Sequence, residues 1–93
     1  MRFASVIILL VLTGCGSVAT KKKSLSEQKA DLFYSHGTQK LVAKEYTEAL
    51  DYLIKANAIS PWDSRINNNL GMAYFFKKKN NKAMTHLKKA LEI

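Results

Sequence analysis

The sequence predicts an all-α protein built from helix–turn–helix repeats, and three observations lead to this fold class. Apolar and small residues recur at an offset of 34 residues from about residue 27 onward. Apolar positions within residues 46–58 follow the three- and four-residue spacing of an amphipathic helix. The 93 residues include only four glycines and one proline, too few for collagen or for low-complexity linkers. The single cysteine excludes an intrachain disulfide framework and a cysteine-built metal site.

Residues 1–14 have the features of a signal peptide. Arg2 gives a positive start, and every residue from 3 to 12 except Ser5 is apolar. This run is shorter than the roughly 20 residues that a membrane-spanning helix needs. Leu12-Thr13-Gly14-Cys15 resembles the lipobox of bacterial lipoproteins, which implies cleavage before Cys15 and acylation of Cys15, for example with palmitate. The alternative is an ordinary secretory signal with Cys15 near the cleavage site by chance.

Residues 15–26 are expected to form a tether between the lipid anchor and the folded part. The segment is small and polar and then basic, with Lys21, Lys22 and Lys23 in succession. These lysines either contact anionic head groups or only keep the tether solvated, and the second interpretation is the simpler one. Ser24 and Glu27 have the spacing of a capping box, which predicts that a helix begins there.

Residues 27–93 contain two copies of a sequence repeat, about 30–63 and 64–93. The copies share a small or apolar residue at six positions: Leu32/Ile66, Gly37/Gly71, Ala49/Ala83, Leu53/Leu87, Ala56/Ala90 and Ile59/Ile93. With Pro61 and Tyr74, these residues resemble the tetratricopeptide repeat, in which two helices cross at small residues. We predict helices at 27–43, 46–58, 63–78 and 80–92. Lys40 and Asn80 depart from the usual pattern, so both copies are somewhat degenerate.

Two repeats bury little apolar surface by themselves, because each unit of a solenoid needs neighbours to cover its faces. We therefore expect the chain to continue past Ile93. The alternative is a complete chain that forms a homodimer through its open end, which contains Leu87, Ala90, Leu91 and Ile93.

The resemblance also implies a binding surface, since the first helix of each tetratricopeptide repeat lines a concave groove that holds a partner. Asparagine amides in such a groove both donate to and accept from a peptide backbone, and aromatic side chains are suited to anchoring apolar groups. The chaperone-type carboxylate clamp is not reproduced, because its lysines are absent from the first copy. Transferred by position, the predicted groove residues are Tyr34, Thr38, Arg65, Asn68, Asn69, Met72, Phe75 and Phe76, with Asp31, Ser35, Leu41 and Val42 beside them. The alternative is that Phe75 and Phe76 pack against a further repeat.

Catalysis, metal binding and nucleic-acid binding are not expected. His36 and His86 lie on different copies, and no phosphate-binding glycine loop is present. No cofactor is predicted. The formal net charge is +8, and Lys77–Lys79, Lys82, Lys88 and Lys89 are expected to form one basic end. No nucleic-acid-binding motif accompanies these lysines, so a solvated face or an anionic envelope component is the preferred interpretation.

These features together predict a bacterial lipoprotein that displays a protein-binding scaffold. Because Gly16 and not aspartate follows Cys15, the sorting rule of that family favours the outer membrane, facing the periplasm. The layout is similar to that of type IV pilus biogenesis lipoproteins with tetratricopeptide repeats, which implies an assembly factor with envelope proteins or peptides as partners. The alternative is an adaptor that recruits or regulates peptidoglycan enzymes.

Overall fold

The computed structural model describes residues 22–93, which form four α-helices joined by short turns. The helices are α1 (Leu25–Val42), α2 (Tyr46–Ile59), α3 (Ser64–Phe76) and α4 (Asn80–Glu92). Helix α1 packs on α2, α3 packs on α4, and α3 also contacts α2 and α1. No strand occurs in this part of the chain. The predicted all-α fold of two helix–turn–helix units is therefore confirmed.

The first helix begins at the predicted capping box. The Glu27 backbone N–H donates to Ser24 Oγ over 3.2 Å, and the Ser24 backbone N–H donates to Glu27 Oε2 over 3.0 Å. These two bonds satisfy backbone donors that the first turn of a helix leaves without intrahelical partners. Helix α1 consequently starts at Leu25, two residues before the predicted boundary.

Helices α1 and α3 end in the same way, at turns whose central residue is a lysine. Lys44 and Lys78 adopt left-handed φ values of 64° and 61°, and they are equivalent positions of the two repeats. In the second turn, Lys78 N–H donates to the Phe75 carbonyl and Lys79 N–H to the Tyr74 carbonyl. This is the Schellman arrangement, in which glycine is the preferred left-handed residue. Because Lys78 leaves the helical conformation, α3 ends at Phe76 and not at residue 78 as predicted.

Close approach of the paired helices depends on Gly37 and Gly71. A Cβ atom built on Gly37 would lie 2.7 Å from Leu53 Cγ, and one built on Gly71 would lie 2.5 Å from Leu87 Cγ. The two contacts are related by the 34-residue offset, so the repeats share one packing register. The core contains Leu41, Ala49, Leu53, Ala56, Ile66, Leu70 and Ala73.

The two repeats differ in how well their second helices are covered. Helix α2 lies between α1 and α3 and buries Leu53 completely, whereas α4 packs on α3 and leaves Leu87 half-buried. Of the residues predicted to form the open end, Ala90 is also half-buried, and Leu91 and Ile93 are exposed. Across residues 22–93, no helix combines the length and the apolar character that crossing a membrane requires.

Candidate partner-binding groove

The upper end of the groove, where α1 and α3 begin, is a network of paired charges. Arg65 donates to Asp31 Oδ1 over 3.0 Å and to Asp63 Oδ2 over 2.7 Å, and its guanidinium lies 4.8 Å from the centre of the Tyr34 ring. Lys23 also pairs with Asp31. Hydrogen bonds from Lys23 and then Arg65 hold the pKa of Asp31 below its ordinary value, and those from Arg65 do so for Asp63. The charges of Lys23, Arg65, Asp31 and Asp63 are thus matched with one another.

The middle of the groove joins α1 to α3 through polar side chains. Asn69 Nδ2 donates to Thr38 Oγ1 over 3.0 Å, a contact between residues 31 positions apart. Asn68 is exposed beside this pair and directs its amide toward Met72 Sδ at 3.8 Å. Asn68 Nδ2 also donates to Asn69 Oδ1 over 3.4 Å, so Oδ1 of Asn68 is the atom that has capacity to accept from a peptide backbone.

The lower end of the groove is apolar. Phe75 and Phe76 are both exposed, and their rings meet edge to face with centroids 5.6 Å apart. Phe76 also stacks on Tyr46 of α2, with centroids 4.9 Å apart and planes inclined by 14°. One face of Phe76 is therefore held by the first repeat, while Phe75 has no comparable stacking partner within residues 22–93.

The structure brings the predicted groove residues to adjacent helices, with one exception among the accompanying positions. Tyr34 and Thr38 lie on α1, and the other six lie on α3 or at its end. Leu41, expected beside the groove, belongs instead to the buried core. That expectation was wrong because the end of α1 turns Leu41 inward and leaves its neighbour Val42 exposed. That this surface binds a partner stays a prediction.

Asn67, which the sequence analysis did not single out, is a fully buried polar residue in this region. Its Nδ2 donates to the backbone carbonyls of Pro61 and Asp63, each over 3.0 Å. Because its amide hydrogens are used there, Oδ1 accepts from Nδ1–H of His86 at 3.0 Å. Burial, and then the nearby Lys89, hold the pKa of His86 below its ordinary value. Asn67 thus joins the turn before α3 to α4.

The predicted single basic end is wrong, because the lysines divide between the two ends of α4. Lys77 Nζ donates to Thr47 Oγ1 over 3.0 Å, at the start of α2. Lys89 instead lies 4.4 Å from the centre of the Trp62 ring, in the turn after α2. Consecutive helices run in opposite directions, so these two contacts lie at opposite ends of the molecule.

Other predicted features lie partly or wholly outside the described residues. Cys15, the signal peptide of residues 1–14 and Lys21 are in the part of the chain before residue 22. Within the described part, no group of three or more His, Cys, Asp or Glu residues is placed to hold a metal ion.

Comparison with known proteins bears on the second repeat. The tetratricopeptide repeat family model matches residues 64–93, which is α3, the lysine turn and α4. No curated protein and no solved structure matched the chain. The matched segment has the same register as residues 30–63, including the glycine–leucine contact. Residues 64–93 are therefore similar to a tetratricopeptide repeat, a unit typical of scaffolds for protein–protein interaction, within an all-α helical-repeat fold.

Proposed function

We propose that this protein is a lipid-anchored scaffold that holds envelope proteins through the groove formed by α1 and α3. The observation that carries the proposal is the continuity of that groove across the two repeats. Asn69 bonds Thr38 and Arg65 bonds Asp31, so side chains of both repeats form one surface. A partner segment laid along it would meet the paired charges around Arg65, then the exposed amide of Asn68, then the exposed rings of Phe75 and Phe76.

The anchoring part of the proposal rests on the sequence. The apolar run of residues 3–12 and the Leu12-Thr13-Gly14-Cys15 pattern support acylation of Cys15, with the outer membrane, facing the periplasm, as the destination. A role in assembling pilus or secretion machinery fits this layout. Recruitment of peptidoglycan enzymes is the second candidate, because the same scaffold on the same anchor serves it equally well.

A binding role without catalysis is part of the proposal. Within the described part of the chain, the hydrogen-bonded ion pair of Arg65 with Asp63 raises the pKa of Arg65 and lowers that of Asp63, and both side chains are accessible to solvent. The Arg65–Asp31 pair joins α3 to α1, and the Arg65–Asp63 pair lies at the start of α3. Both line an open cleft of about 640 Å³, which suits a structural and binding surface.

Site-specific photo-crosslinking in native membranes would test the binding surface. A photoreactive phenylalanine analogue replaces Met72, which is exposed in the groove, and in a matched control it replaces Met84, which is exposed on α4. We expect a discrete crosslinked protein from position 72 and none of the same mass from position 84. Pilus or secretion components in that product would favour the first role, and wall enzymes the second. Equal products from both positions would refute the groove as the binding surface.

The anchor is tested separately by the intact mass of the membrane-extracted protein. Acylation predicts a mature chain that starts at Cys15 and carries the added mass of fatty acyl groups. A Cys15→Ser variant should lack that mass and leave the membrane fraction. If the unsubstituted chain carries no acyl group, the anchoring proposal fails, whatever the crosslinking shows.

A further inference from the structure

The lower end of the molecule combines unpaired lysines with exposed phenylalanines. Lys44 lies in the turn between α1 and α2, and Lys77, Lys78 and Lys79 lie in the turn between α3 and α4. Phe75 and Phe76 directly precede the second turn and are 58% and 47% exposed. We call these six residues the lysine–phenylalanine patch: Lys44, Phe75, Phe76, Lys77, Lys78 and Lys79.

The two turns of this patch are neighbours in space. Lys44 and Lys77 line one cavity of about 310 Å³, and the rest of its lining is Glu45, Tyr46, Thr47 and Glu48. Lys77 Nζ reaches Thr47 Oγ1, and the ring of Phe76 stacks on that of Tyr46. Two segments that are 34 residues apart in sequence therefore form one continuous surface.

The positive charge of the patch is not neutralised by the chain. Residues 40–48 and 75–82 contain six lysines and two glutamates. Both glutamates, Glu45 and Glu48, pair with Lys40, at 2.9 and 3.1 Å. Among residues 22–93, no carboxylate lies within 4.0 Å of the amino groups of Lys44, Lys77, Lys78 or Lys79. Residues 1–21 contain no Asp or Glu.

We propose that the lysine–phenylalanine patch recognises the partner protein through a segment in which acidic residues alternate with large apolar ones. The proposal deepens the proposed function, on which it rests, by naming the chemistry of the partner. Carboxylates would meet the lysines and apolar side chains would cover the phenylalanine rings. At the upper end of the groove, by contrast, Arg65 and Lys23 are already paired with Asp31 and Asp63.

Position in the fold favours a protein over a membrane surface as the occupant. The anchor precedes Lys22, at the start of α1, whereas the patch lies at the end of α1 and the end of α3. A helix of 18 residues is about 27 Å long, so the patch faces away from the point where the chain leaves toward its anchor. Phe75 also continues the row of groove residues on α3, which joins the patch to the predicted binding surface.

The experiment measures binding of a fluorescein-labelled peptide that alternates glutamate with leucine, using the full chain in detergent and fluorescence anisotropy. The reference peptide has glutamine at every glutamate position. The patch variant combines Lys77→Gln, Lys78→Gln and Lys79→Gln. The matched control variant combines Lys29→Gln, Lys55→Gln and Lys88→Gln, which removes the same charge from exposed positions elsewhere. Vesicles of phosphatidylglycerol test the membrane alternative with the same proteins.

We expect the glutamate peptide to bind more tightly than the glutamine peptide, and the difference to shrink as NaCl rises from about 0.05 to about 0.3 M. The patch variant should lose about tenfold in affinity for the glutamate peptide, the sum of three exposed charge contacts, and the control less than about twofold. Phe75→Ser, at an exposed position, should lower the affinity of the unsubstituted chain for both peptides.

Three results would overturn the proposal: equal binding of the two peptides, equal losses in the patch and control variants, or no peptide binding together with patch-dependent binding of the vesicles. None of them bears on crosslinking at position 72 or on acylation of Cys15. Failure of the patch is therefore distinguishable from failure of the scaffold role.

Discussion

The two repeat glycines make the same contact in different surroundings, so substituting each by alanine separates packing from helix propensity. Both lie inside helices with negative φ, and neither requires glycine for its backbone conformation. A Cβ on Gly37 would lie 2.7 and 2.9 Å from Leu53 Cγ and Cδ2, and one on Gly71 would lie 2.5 and 2.6 Å from the same atoms of Leu87. Distance alone predicts that Gly71→Ala is the more damaging substitution.

The freedom of the opposing leucine reverses that order. Leu53 is fully buried within the core cluster that includes Ile66 and Leu70, so it cannot turn aside without moving them. Leu87 is half-buried, so fewer neighbours oppose its rotation away from the new methyl group, and the third contact, Ala83 O at 3.2 Å, requires a shift of only a few tenths of an ångström. Alanine gains about 1 kcal/mol in helix propensity over glycine, and overpacking a closed core costs about 1–3 kcal/mol. We expect Gly37→Ala to lower the free energy of unfolding by about 1 kcal/mol and Gly71→Ala to leave it within about 0.5 kcal/mol of the original.

Urea and thermal unfolding followed by circular dichroism would measure both changes on the full chain. A loss of 1 kcal/mol corresponds to a fall in Tm of about 4–8 °C for a domain of this size. Ser35→Ala, at an exposed position of α1, is the control that changes helix propensity alone, and it should raise the free energy of unfolding by about 0.5 kcal/mol. If Gly71→Ala proves as destabilising as Gly37→Ala or more so, the argument from the mobility of the opposing leucine is refuted.

Three further predictions concern the turns and the polar contacts. Lys78→Gly should raise the free energy of unfolding by about 0.5–1 kcal/mol in urea unfolding, because glycine adopts the left-handed φ of 61° without strain; a loss of stability would contradict this. Asn67→Ala should cost about 1–3 kcal/mol in the same assay, since it removes the donors to the Pro61 and Asp63 carbonyls and the acceptor of the His86 imidazole N–H, and only the Asp63 carbonyl keeps another partner, the backbone N–H of residue 67. A change below about 0.5 kcal/mol would count against it. Hydrogen bonds from Lys23 and then Arg65 lower the pKa of Asp31 in the folded chain. The contribution of Asp31 to the free energy of unfolding is therefore present above the unfolded-state pKa of about 4, and it is lost as pH falls through the lower folded-state pKa. Asp31→Asn should therefore flatten the acid limb of a plot of Tm against pH, and an unchanged limb would contradict the assignment.

Much of the fold could be predicted from local sequence signals because those signals act over short distances. Ser24 and Glu27 satisfy backbone donors within their own turn, and Gly37 and Gly71 mark positions where a helix axis must come close. The predicted end of α3 is two residues too late because lysine rarely occupies the left-handed position of a Schellman turn. A glycine at position 78 would have been the visible signal.

The candidate site was harder to predict because its properties arise from contacts between residues far apart in sequence. In the sequence, nothing distinguishes Asn67 from an exposed asparagine, because its hydrogen-bond partners, the Pro61 carbonyl and His86, come near it only in the folded chain. The lysines in and before α4 look like one cluster in the sequence, which does not show that Lys77 contacts the start of α2 and Lys89 the turn after it. The position of a residue in the repeat predicted which helices form the groove. Leu41, which is buried in the core, shows that repeat position does not predict how far each side chain is buried.

The two repeats are alike in packing and unlike in charge, and under the proposed function this difference would give them different tasks. Residues 30–63 carry three lysines and five carboxylates, whereas residues 64–93 carry seven lysines and arginines and one carboxylate. Where the repeats meet at the upper end, Asp31 of the first repeat pairs with Arg65 of the second. This ion pair between oppositely charged repeats stabilises their junction. At the lower end the first repeat supplies Glu45 and Glu48, but Lys40 of the same repeat holds both carboxylates. Within residues 22–93, the lysines of the second turn consequently have no carboxylate partner, which is the basis of the proposed contact with an acidic segment. A partner that binds through them would dock against the second repeat at the lower end, with the first repeat serving as the support that holds Phe76 and Lys77 in place.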